Sequence, residues 1–88
     1  MKLKGQFMLR EIAGEILAIP VGSTALEMNG MIVLNPVSKV IWERLEQGTT
    51  QEEILIKVMD LFEVSADEAR TDISDFLNQL KELNLLQD

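Results

Sequence analysis

At 88 residues, with 47% hydrophobic and 26% charged side chains, the chain holds enough apolar material for one domain, read as spanning residues 1–88, and too little polarity to be disordered. Its formal charge of −7 is uneven, +1 over residues 1–44 and −8 over residues 45–88, so the second half repels phosphate backbones and argues against nucleic acid as a partner. Cysteine, histidine and tyrosine are absent, which removes disulfides, thiolate zinc sites and the usual proton shuttles. Phe7-Met-Leu-Arg-Glu-Ile12 and Glu15-Ile-Leu-Ala-Ile-Pro20 read as two strands joined by Ala13-Gly14, a two-residue hairpin loop. Phe7, Leu9 and Glu11 fall on one face, Met8, Arg10 and Ile12 on the other, so the alternation is imperfect. Pro20 ends the second strand, and residues 21–29 form a longer connection with a short extended piece at Ala25–Met28. Asn29-Gly30 is a turn signal, and Met31–Leu34 is the third strand.

Three helices follow. Asn35 caps the first and Pro36 suits its first turn; it runs to about Gln47 with Val37, Val40, Ile41 and Leu45 on its apolar stripe. Trp42 reads as core rather than as a partner contact, and Gly48 supplies a left-handed stop. Thr50-Gln-Glu-Glu53 is a capping box opening the second helix, whose buried face is Ile54, Leu55, Val58, Met59 and Phe62. Ser65-Ala-Asp-Glu68 repeats the device for the third. There Ala69, Ile73, Phe76, Leu80 and Leu83 form the core stripe, with Leu77 at its edge and Arg70, Ser74 and Lys81 further round the same side. Glu68, Asp72, Asp75 and Gln79 occupy the opposite flank, and Leu85-Leu86 return to the core. Strands first and helices after give an α+β fold, a three-stranded antiparallel sheet against a helical layer.

Met31–Leu34 has neither charge nor proline to protect its edge. Such a strand is sandwiched in its own core, or it waits for a strand from elsewhere, whose main chain satisfies its unpaired groups. Catalysis has little support: Glu52-Glu53 and Asp67-Glu68 sit in first helical turns, where anionic side chains belong, and Asp72 and Asp75 lie on a polar face. No phosphate loop or calcium loop is present, and no cofactor or metal is expected. The basic Met1–Gly5 is followed by no apolar segment of signal-peptide length, and no stretch approaches the ~20 apolar residues of a membrane span, so a soluble cytoplasmic protein is expected.

The order Gly30-Met-Ile-Val-Leu-Asn-Pro, Ile41-Trp-Glu-Arg-Leu45, Gly48-Thr-Thr-Gln-Glu-Glu-Ile54, then Phe62-Glu-Val-Ser-Ala-Asp-Glu-Ala69 and Leu83-Asn-Leu-Leu86 resembles the pyrroloquinoline-quinone biosynthesis protein D family. The resemblance implies a winged-helix-like domain of three strands and three helices that binds the leader segment of a ribosomally made precursor peptide. It also implies a modifying enzyme of the radical SAM/SPASM type as partner. The leader would add an antiparallel strand to Met31, Ile32, Val33 and Leu34 and lie along the Ala66–Leu83 helix. Where family members have Asn-Glu-Thr-Gly, this chain has Asn35-Pro-Val-Ser38; both open a helix. A groove on the Leu77 side would set two cations, Arg70 and Lys81, and Ser74 beside an apolar floor, which suits an acidic leader. The competing reading has Arg70 and Lys81 solvated and paired along the helix. Two other functions stand beside peptide binding. A winged-helix DNA-binding regulator would need a basic recognition helix, yet the third helix is net acidic and the second holds only Lys57. A dimerisation module would pair the third strand with its own copy across a two-fold axis, so the expected state is a monomer or weak homodimer.

Overall fold

The computed structural model describes residues 1–88. In chain order it has β1 (Lys2–Leu3), β2 (Phe7–Ile12), β3 (Glu15–Pro20), α1 (Gly22–Glu27) and β4 (Ile32–Leu34). Three longer helices, α2 (Pro36–Gln47), α3 (Gln51–Leu61) and α4 (Ala66–Glu82), precede β5 (Leu86–Gln87). The three-stranded antiparallel sheet has the order β2-β3-β4, and the expected α+β architecture is present.

The hairpin is set by its turn. Ala13 and Gly14 both take positive φ, 53° and 83°, the two-residue geometry that matches strand twist. Ala13 holds a left-handed conformation that its Cβ disfavours. Ala13→Asn is therefore expected to raise stability by about 0.5–1 kcal/mol, since asparagine tolerates that region. An unchanged urea midpoint would show that the turn is not strained.

Residue pairing across the sheet explains the imperfect alternation. Phe7 and Leu9 of β2, Ile16 and Ala18 of β3, and Ile32 and Leu34 of β4 face the helices and pack in or against the core. On the other face stand Met8, Ile12 and Val33, all exposed, with Leu17 and Ile19 half-buried among them. Both faces are apolar, but only one is covered. Glu11 shares the inward face yet lies near the hairpin tip, where it stays in solvent.

The helix starts follow the sequence signals. Asn35 Oδ1 accepts from Ser38 N–H at 2.8 Å while Ser38 Oγ accepts from Asn35 N–H at 2.8 Å, so serine completes the box that glutamate completes at α3. Thr50 and Glu53 exchange the same pair of bonds at α3; at α4 only half of the expected box forms, Ser65 Oγ accepting from Glu68 N–H. Gly48 ends α2 at φ 89°.

Three features depart from expectation. Residues 22–27 form a short helix, not an extended piece. Six residues are too few to show a helical period, and its anchor is tertiary: Thr24 is buried and its Oγ1 accepts from Gln6 N–H at 2.8 Å. β1 and β5 make a small second sheet, bringing Leu85 and Leu86 onto the core as the sequence suggests. Met59 and Leu83 are exposed although they lie on predicted stripes. No helix is long and apolar enough to cross a membrane.

Candidate functional site

β4 pairs with β3 only, and its other side meets no strand. Which groups it leaves free follows from the ladder. Val21 N–H donates to Gln6 C=O at 3.0 Å, and Pro20, which has no N–H, lies opposite Phe7. Bonded and non-bonded pairs alternate along an antiparallel ladder. The bonded pairs of β2 and β3 are thus Met8 with Ile19, Arg10 with Leu17 and Ile12 with Glu15. Leu17 directs its N–H and C=O at β2, so Ile16 and Ala18 direct theirs at β4, toward Leu34 and Ile32. Val33 lies opposite Leu17 in a non-bonded pair, and its N–H and C=O point to the open side. None of the backbone bonds outside helices and strands involves residues 31–34.

Between this open edge and α4 runs a groove of about 330 Å³. Val33 lines one side; the apolar floor comes from Val37 and Ile41 of α2 and from Phe76 of α4. Asp72, Asp75 and Gln79 line the α4 side. The groove ends at the Asn35–Ser38 cap, which fixes the chain as it leaves β4.

The eight residues expected to touch a peptide fare differently. Met31 and Val33 are exposed, at 52% and 58%, and lie beside or on the open edge. Ile32 and Leu34 are buried in the core and their backbone groups face β3, so they support the edge without presenting side chains to it. Leu77, at 2% exposed, is a core residue and not a groove wall. Arg70 pairs with Glu52 of α3 at 3.9 Å, and it lines with Ser74 a separate depression of about 370 Å³ between α3 and α4. Lys81 is exposed near the end of α4 and lines neither space.

The flank of α4 that meets β4 is therefore the opposite one, carrying Asp72, Asp75 and Gln79. Helical spacing divides those residues from Arg70, Ser74 and Lys81 correctly. It contains no information on which side of α4 the sheet edge lies, because that depends on how α3 and α4 pack together. In the fold Phe76, on the core stripe but leaning toward the acidic flank, is where the floor of the groove reaches α4.

Nothing in the groove is arranged for covalent chemistry. It contains two carboxylates and amide and hydroxyl groups, with no nucleophile–base pair, and no cluster of three or more metal-ligating side chains occurs in the chain. A larger concavity, about 580 Å³ at Arg44, Glu53, Ile56 and Met59, lies between α2 and α3, away from the open edge. What the groove offers is a main-chain donor and acceptor beside an apolar floor, the arrangement that receives an extended peptide.

A family model for coenzyme PQQ synthesis protein D (PqqD) matches residues 22–86, most of the chain. Among solved structures, TbiB1 in complex with the TbiA(beta) leader peptide is similar over 99% of this chain and 95% of that one, at 25% identity and a TM-score of 0.73. A lasso peptide synthetase B1 complexed with the leader peptide shares the fold over 99% of this chain and 96% of that one, at 18% identity and a TM-score of 0.71. Among curated proteins no relative matches.

Proposed function

Because the chain belongs to the PqqD family, we propose that its 88 residues act as one recognition domain for the leader segment of a ribosomally synthesised precursor peptide. The leader joins the sheet beside β4, and the domain presents the rest of the precursor to a modifying enzyme, of the radical SAM type by analogy with the family. The domain itself is a cytoplasmic adaptor and not an enzyme.

The outward N–H and C=O of Val33, with the Phe76 floor beside them, carry this reading. Unpaired groups on an apolar strand are a hazard unless something fills them. Support also comes from TbiB1, the 25% identical neighbour, which was solved holding a leader peptide. In an amide NMR titration with the synthetic leader of a precursor encoded beside the gene, the largest shifts are expected at Met31 and Val33, then at Asp72, Asp75 and Gln79. The peptide's mass should stay unchanged after incubation with this protein alone. Saturable binding that leaves the Val33 amide unmoved would sink the proposal.

A further inference from the structure

Resting on that reading, we infer that the groove selects a strand carrying lysine or arginine opposite Asp72 and Asp75, and discriminates against an acidic one. The lining includes two carboxylates and no cationic side chain. Both aspartates are exposed, and neither has a Lys or Arg nitrogen within 4.0 Å; the two ion pairs of the chain, Arg44–Glu53 and Arg70–Glu52, lie elsewhere. The cations that would suit an acidic leader, Arg70 and Lys81, are on the far flank of α4.

The geometry says where the cation belongs. A strand bonded to Val33 lies about 4.8 Å outside β4, between β4 and α4. Its side chains alternate, one set over the outer sheet face beside Val33 and Met31, the other toward α4. In the second set, short apolar groups meet Val37, Ile41 and Phe76, while a long cationic side chain lays its stem on that floor and reaches the carboxylates. Asp72 and Asp75 are three residues apart, neighbours on one helix face, so a single guanidinium or ammonium can approach both. Glutamate at the same strand position would meet two like charges, with only the neutral Gln79 amide beside them on α4. The net charge of −7 adds a long-range preference of the same sign.

The test uses a phage-displayed library of random twelve-residue peptides selected on the whole protein. The tightest binders are synthesised with a fluorescent label, alongside copies with glutamate in place of each Lys or Arg. Selected sequences should be enriched in Lys or Arg within an apolar alternation. In about 50 mM salt the glutamate copy should bind about tenfold more weakly, and the gap should shrink several-fold at about 500 mM. Asp72→Lys/Asp75→Lys should reverse the preference. Both positions are exposed, and circular dichroism confirms that the variant is folded. Lysine and glutamate copies that bind within twofold of each other, while still shifting the Val33 amide, overturn the charge selection and leave strand addition standing. Binders that never move that amide overturn strand addition, and the charge selection falls with it.

Discussion

Val33→Pro is expected to weaken leader binding by about thirtyfold, roughly 2 kcal/mol, while the domain stays folded. Proline removes the one N–H that β4 turns outward, and a peptide carbonyl that would have accepted it is left desolvated without a donor. A lost hydrogen bond is worth about 1 kcal/mol, and a stranded partner adds about 1–3 kcal/mol, so the sum exceeds what side-chain changes at this exposed position would produce. The fold should tolerate the change because Val33 gives no bond to β3, and edge strands are where proline is found in sheets. Ile32 precedes it and is already extended, as a residue before proline prefers to be. Ile32→Pro is the matched control. It removes a donor that faces Ala18 and takes a buried side chain out of the core, so it should unfold the domain. Fluorescence anisotropy and thermal melts of the two variants separate the cases. A Val33→Pro protein with a native melt and native affinity would place the peptide somewhere other than β4.

The contrast between Val33 and Leu77 shows where sequence reading stops. Met31–Leu34 was legible as an unprotected strand because edge protection is a matter of composition: no charge, no proline. Which of its residues turns outward was not legible, because that parity passes through the β2–β3 ladder and is fixed by Pro20 and by the turn at Ala13-Gly14. Helix boundaries were legible to within a residue or so at Pro36, Thr50 and Ser65, since caps act over three or four residues. The α1 helix was not, because its anchor at Gln6 is eighteen residues from Thr24. For α4 the periodicity separated two flanks but could not orient them. Leu77 lies at the edge of the stripe and so reads as a groove wall; in the fold α3 covers that side, and the groove opens beyond Phe76. The candidate site was therefore readable as a strand and unreadable as a cleft.

Trp42→Ala should be the most damaging side-chain truncation in the chain. Trp42 is 0% exposed and lies on α2, and the Phe7 ring of β2 meets it edge-on, with centroids 5.0 Å apart and planes at 88°. It thus joins the sheet to the helical layer. Truncating a buried tryptophan costs about 3–5 kcal/mol, and the T-shaped contact is part of that. Domains of this length have about 4–13 kcal/mol in all, so the variant should lose roughly a quarter or more of its stability and melt about 12–40 °C lower. The groove would go with it, since Val37 and Ile41 of its floor stand on the same helix. Trp42→Phe is the informative partner. The indole N–H is buried with no acceptor, so phenylalanine removes an unsatisfied donor together with some volume and should cost much less than alanine. Trp42 is also the chain's one tryptophan, so its fluorescence follows wild-type unfolding, while circular dichroism serves the variants. A Trp42→Ala protein that melts like the wild type but no longer binds the modifying enzyme would make Trp42 a partner contact and contradict its place in the core.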